Sequence, residues 1–183
     1  MSRGVPSPIP VELVPHSSEW ARRAAIETRR LRSALGETLV SVHHIGSTAI
    51  PRILAKPVVD LIPEVKSLAE LDSARDAIAA LGYEWWGEYG IAGRRYCTLA
   101  DPVTGKRVVQ LHCFEAGSPH IHRHLAFRDY LRANPIKAKA YEEMKLGARD
   151  LHPQDSHSYL AAKSSWIAAM EEEAMRARGM PAK

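Results

Sequence analysis

Residues 39–65 read LVSVHHIGSTAIPRILAKPVVDLIPEV, and this stretch decides the fold. LVSVHHI, residues 39–45, alternates β-branched residues and stops at Gly46, which predicts a strand running into a turn. KPVVDLIPEV, residues 56–65, is the most apolar strand-like run of the chain and predicts a central strand buried on both faces. Between them STAIPRILA, interrupted by Pro51, reads as a short irregular or helical connection. Alternation places Val58, Asp60 and Ile62 on one face of the second strand and Val59 and Leu61 on the other. A carboxylate in so apolar a strand is costly unless it binds a cation or accepts hydrogen bonds, so Asp60 marks a candidate site. A structural aspartate capping a neighbouring loop is the plainer alternative.

Outward from this core, VELVP at 11–15 predicts a first strand, and Ser18 caps a helix that stops at Gly36. Ser67 starts a helix in which Leu68, Leu71, Ala74, Ile78 and Leu81 recur at helical spacing, ended by Gly82. YEWWGEYGI at 83–91, RRYCTLA at 94–100 and VVQLHCFEA at 108–116 are three further strands. Ser118-Pro119 opens a helix in the cap-then-proline order. Asn134-Pro135 breaks it and opens another, to about Asp150, and Ser156 or Ser158 begins a last helix to about Arg178. Strands alternating with helices, then strands, then helices, predict one α/β (α+β) domain over residues 11–183. It holds a mixed β-sheet flanked by helices, with a helical C-terminal layer. Residues 1–10 read as a flexible proline-rich tail.

The 183 residues suffice for a single core. No apolar run reaches the ~20 residues of a membrane span, and MSRGVPSPIP lacks the apolar stretch of a signal peptide. The two cysteines, Cys97 and Cys113, each fall in a predicted strand as small buried residues, and with the absent leader they point to the cytoplasm. The net charge is +4, with arginines scattered or on a solvated helix face between Arg22 and Arg32. No basic stripe with aromatic platforms calls for nucleic acid. A phosphorylated small molecule suits this pattern better, and the oligomeric state is not legible.

Gly46-Ser47 after a strand lets backbone donors and a hydroxyl approach a phosphate closely, although Gly-Ser is also an ordinary turn pair. Gln110 and His112 share one face of their strand. If that strand neighbours 56–65, His112 stands beside Asp60 as a metal ligand or proton-transfer group. Lys56 at the mouth of the Asp60 strand and Arg94 after Gly93 are candidate phosphate contacts, or plain surface ion pairs. His120 and His124 lie four apart on one helix without the glutamate pattern of a zinc motif.

Taken together, HIGSTAIP (44–51), KPVVDL (56–61), GIAGRRY (90–96), VQLHCF (109–114), RHLAFRDYLR (123–132) and YLAAKSSWI (159–167) resemble the GrpB family, over roughly residues 11–170. That family is similar to the nucleotidyltransferase superfamily, whose signature is a Gly-Ser pair followed by a strand with an acid-x-acid pattern. The resemblance implies that Gly46 and Ser47 form the phosphate-binding turn and that Asp60 is the first metal carboxylate. The second acid falls at Ile62, where the pattern departs. Glu64 lies on the same face beyond Pro63, and His112 stands where a later strand brings a third carboxylate. A divalent metal, Mg²⁺ or Mn²⁺, held by Asp60 and His112 is the cofactor so implied. The implied activity is nucleotidyl transfer to a hydroxyl or amine. Members fused to dephospho-coenzyme A kinase imply instead a non-catalytic nucleotide- or coenzyme A-binding module linked to coenzyme A metabolism. A different reaction with His112 as base is a third reading.

Overall fold

The computed structural model describes residues 8–179, so most of the tail expected over residues 1–10 lies outside it. Helix α1 (Ser18–Leu35) is capped by Ser17 rather than Ser18, because the Ser17 hydroxyl accepts from the Glu19 amide. Gly36 closes it at φ 51°. Strand β1 (Leu39–Ile45) ends where the sequence predicts. A 3₁₀ turn (Ser47–Ala49) follows, then an irregular run to β2 (Val59–Val65). Ser67 caps α2 (Leu68–Ser73) through the Ala69 and Glu70 amides. The backbone kinks at Ala74, so the single helix expected here becomes α2 and α3 (Arg75–Ala80). Leu71 and Ile78 are buried on either side of the kink. Three strands follow: β3 (Glu84–Gly87), β4 (Arg94–Ala100) and β5 (Arg107–Glu115). Helices α4 (Pro119–Ala133), α5 (Pro135–Leu151) and α6 (Ser156–Ala177) complete the chain.

Two expected strands are corrected. VELVP makes only an isolated bridge between Val14 and Ala55. It lies between Pro10 and Pro15, which lack the N–H a ladder needs, and its Val11 amide goes instead to the Pro153 carbonyl at 2.9 Å. The 83–91 strand stops at Gly87, because Gly87, Tyr89 and Gly90 all adopt positive φ and turn the chain away.

The sheet is mixed, in the order β1-β2-β5-β4-β3, with β2 and β5 parallel and the other pairs antiparallel. Strand β2 is interior, as its apolar sequence requires, but β5 occupies the middle. Val59, Leu61, Val65, Val109 and Leu111 face α1–α3 in the main core, which Cys97 and Cys113 join as free, buried thiols. A hydrogen bond with Cys97, reinforced by burial, pushes the Cys113 thiol up. The opposite face begins with Ile45, Ile62 and Phe114 against Ile121 of α4. It continues with Ile50 and Ile53 packed on Phe127, Leu131, Tyr141 and Met170. The molecule is thus three layers, with α1–α3 below the sheet and α4–α6 above it.

The run 46–58 has almost no regular structure, yet Thr48, Ala49, Ile50, Ile53 and Ala55 are buried. Peptide groups in such a place need partners, and the upper helices supply them. Arg128 donates to the His44 carbonyl at 3.0 Å and Arg132 to that of Ala49 at 2.7 Å. Glu142 accepts from the Leu54 amide at 2.6 Å, and Lys145 donates to the Leu54 carbonyl. Helices α4 and α5 therefore position this segment through side chains.

Ile62, where an acid-x-acid strand would carry its second carboxylate, is fully buried among Ile45, Phe114 and Ile121. An Ile62→Asp change buries an unpaired carboxylate in this cluster. It is expected to cost about 3–5 kcal/mol in urea unfolding, with no rescue by added Mg²⁺.

Candidate functional site

A cleft of about 430 Å³ opens between the β1–β2–β5 edge of the sheet face and helices α5 and α6. Gly46, Ser47, Lys56, Asp60, His112 and Lys163 all line it. Gly46 has φ 71° and ψ −172°, a conformation available to glycine and strained for other residues. A Cβ there would lie 2.7 Å from Asp60 Oδ2, so the missing side chain is what lets the Asp60 carboxylate reach the turn. Ser47 donates from its hydroxyl to Tyr141 Oη at 3.0 Å, tying the turn to α5. Burial lifts the Tyr141 phenol to about 12, so this partner stays a neutral hydroxyl.

The parallel register of β2 and β5 sets Asp60 opposite Gln110, and His112 follows two residues along the same face. His112 Nε2 lies 3.2 Å from Asp60 Oδ1. On the other side of the ring, Arg94 Nη1 points at His112 Nδ1 from 3.4 Å. A guanidinium only donates, so Nδ1 accepts, and the imidazole proton sits on Nε2, donated to Asp60. Arg94 is buried, gives Nε to the Glu88 carbonyl at 3.1 Å and Nη2 to the Tyr89 carbonyl at 2.5 Å, and stacks over the Tyr96 ring. The structure thus sets Arg94 behind His112 as a positioning group and not in the cleft as a phosphate contact.

The divalent ion expected between Asp60 and His112 meets a hydrogen bond there. Nε2 carries the proton and Nδ1 faces Arg94, so neither ring nitrogen offers a lone pair beside the carboxylate. Ile62 is core, and Glu64 is engaged with His43 Nε2 at 2.9 Å and Ser41 Oγ at 3.2 Å. Among the described residues no group of three or more His, Cys, Asp or Glu side chains could hold a metal ion. As arranged, the donor set does not fit a divalent cation shared by these two residues. His120 and His124 also go separate ways: His120 stacks on Phe114, while His124 lines the cleft 6.2 Å from the His112 ring.

Lysine side chains also line the cleft. Lys56 lines the cleft; burial lowers its pKa while the Asp60 charge opposes the shift. Lys163 was not legible as a site residue from its own position, though it lies in the YLAAKSSWI motif. It is only 8% exposed, and its ammonium sits 4.2 Å above the Tyr159 ring. Its pKa is lowered to about 8, chiefly by burial and then by the Lys56 charge, with Asp60 opposing the shift. The signal that could have found it is a stripe at four-residue spacing. Tyr159, Lys163, Ile167 and Glu171 all line the cleft, and two of the four carry charges on an inward face. Glu171 is neutralised by Arg123 at 2.7 Å.

A Gly-Ser turn after the first strand, and a carboxylate beside it on the second strand of a mixed sheet, belong to a nucleotidyltransferase-like α/β fold. A mutant of the Cid1 poly(U) polymerase bound to MgATP shares this fold. It superposes with a TM-score of 0.50 and 17% identity over 72% of this chain and 45% of that one. The chain belongs to the GrpB family, whose model, described as GrpB protein, matches residues 10–173. The crystal structure of conserved protein GrpB from Enterococcus faecalis is similar with a TM-score of 0.84 and 33% identity, covering 91% of this chain and 99% of that chain. Protein YqkA of Bacillus subtilis is 40% identical over 166 residues, 91% of this chain; the chain spans about half of that relative, 48% of its length. A dephospho-CoA kinase of Mycolicibacterium paratuberculosis is 30% identical over 183 aligned residues, which cover 86% of this chain and 44% of the kinase. Among the described residues no helix is long and apolar enough to cross a membrane.

Two outcomes follow from this geometry. Gly46→Ala forces Asp60 away from the turn and strains the backbone, so it is expected to lose about 1–3 kcal/mol of stability in chemical denaturation and to weaken any ligand of the cleft. The second concerns acid. Burial, as the leading cause, holds His44 down at about 4 and His124 at about 3, against an ordinary value of 6.5. Their depressed folded values mean stability is intact above pH 6.5 and is lost as pH falls toward 4 and 3, because the unfolded chain takes up protons first. At pH 5 each half-buried ring should cost about 1–2 kcal/mol. A His124→Gln variant should show a flatter fall in urea midpoint between pH 6.5 and 4.

Proposed function

We propose that this chain binds a nucleotide or another phosphorylated small molecule in the cleft and acts as a nucleotidyltransferase-like transferase. The observation that carries this reading is the convergence of the Gly46-Ser47 turn, Asp60, Lys56 and Lys163 on one cleft. The turn and the two ammonium groups favour phosphate oxygens. The cleft's size suits a small-molecule ligand, and Tyr89, Tyr96 and Tyr159 on its walls offer apolar surface for the remainder of such a molecule.

Asp60 is then the base. An acceptor hydroxyl or amine attacks the α-phosphorus, its proton passes to Asp60, and the bond to the bridging oxygen breaks to release pyrophosphate. His112 holds the carboxylate in place by donating from Nε2, with Arg94 fixing the tautomer. No step here passes through a metal ion, because the donors present do not fit one. The alternative is a binding module for a nucleotide or coenzyme A, tied to coenzyme A metabolism. It is favoured by the buried Ile62 and by the similarity to part of a dephospho-CoA kinase.

The test is a thermal-shift panel of ATP, CTP, GTP and coenzyme A, paired with an assay of pyrophosphate release. A shift with at least one nucleotide is expected. Asp60→Asn should retain that shift, since it removes a negative charge from beside the phosphates, and should slow pyrophosphate release by roughly 10²–10⁴-fold. Binding without release by the unaltered protein would favour the module, and no shift with any compound would end both readings.

A further inference from the structure

We infer that Lys56 and Lys163 take the place of divalent metal in this cleft, so that the protein binds an oligophosphate directly through a lysine pair; this rests on the phosphorylated-ligand reading above. Four observations point to it. The position of the second acid is Ile62, fully buried in an apolar cluster, so a later rotamer change cannot turn a carboxylate into the cleft. His112 presents a protonated nitrogen to Asp60, held so by Arg94.

The third observation is charge. The cationic side chains lining the cleft are Lys56, Arg107 and Lys163; the carboxylates are Asp60 and Glu171, and Glu171 is already paired with Arg123. That leaves three cations facing one free carboxylate. Such a field repels a divalent cation and attracts an anion. The fourth is Lys163 itself. It reaches into the cleft from α6, more than nine-tenths buried, and its ammonium has no hydrogen-bond acceptor among the described residues. The ammonium opens to the cleft, and an entering phosphate would supply the acceptor it lacks. Two-metal transferases neutralise a polyphosphate with ions held by carboxylates. Here, the ammonium groups would do so, Lys56 from the approach to β2 and Lys163 from α6, in the cleft that the Ser47 turn also lines.

The experiment is calorimetric titration of the intact protein with tripolyphosphate and with ATP at pH 7, once in EDTA and once in Mg²⁺, for the unaltered chain, Lys56→Met, Lys163→Met and Lys163→Arg. The expected result is binding of both compounds in EDTA, with an affinity that Mg²⁺ does not raise. Lys163→Met and Lys56→Met should each weaken it ~10-fold or more, and Lys163→Arg should recover part of the loss. A circular dichroism melt of each variant checks folding, and Lys163→Arg against Lys56→Met keeps the comparison should Lys163→Met fail to fold. Binding that appears only with Mg²⁺, or is unchanged by both methionine variants, would overturn the lysine pair and leave the phosphorylated-ligand reading standing. No binding in either condition would remove both.

Discussion

The structure depends on how a buried, irregular stretch of chain, residues 46–58, has its peptide groups satisfied. No strand or helix partners most of it, and no water-exposed surface is available to several of its residues. The carbonyls of Ala49 and Leu54, the Leu54 amide, and the His44 carbonyl at the end of β1 just before the stretch are met by Arg132, Lys145, Glu142 and Arg128. Every one of these side chains comes from α4 or α5. The helical layer is therefore not an appendage to the sheet. Without it the turn that presents Gly46 and Ser47 would have unmet backbone groups and no reason to hold its shape.

The same layer decides the chemistry of the cleft. Helix α4 brings Ile121 onto Ile62, so the sheet face that would carry a second carboxylate is used for packing instead. Helix α6 brings Lys163 to the cleft, and α5 brings the Tyr141 hydroxyl to Ser47. A single carboxylate is left among cations, with a histidine that donates to it. The balance of charge in the cleft, more than any single residue, is what the proposed direct recognition of anions rests on.

Much of the fold was legible along the chain because its signals are local. Gly46, Gly82, Ser67 and the Ser118-Pro119 pair end or begin elements through backbone geometry and capping that each residue carries with it. The alternation in 59–65 and 108–114 assigned Asp60, Gln110 and His112 to faces correctly, since a strand's period is fixed. What failed locally failed for an identifiable reason. VELVP has strand composition but proline at its borders, and the 83–91 run has aromatic residues but three positive-φ positions.

By itself the sequence determined which residues could meet a phosphate turn and an isolated acid, Gly46, Ser47 and Asp60, and that the second acid of the pattern is absent at Ile62. Only the tertiary structure decided what surrounds them. That Arg94 turns inward to orient His112, that His112 presents a proton and not a lone pair, and that Lys163 reaches Asp60's cleft are consequences of strand order and helix packing. Hydrogen-bond direction and the sum of nearby charges depend on which elements meet in space, and residues on different elements leave no periodic trace of that meeting in the chain.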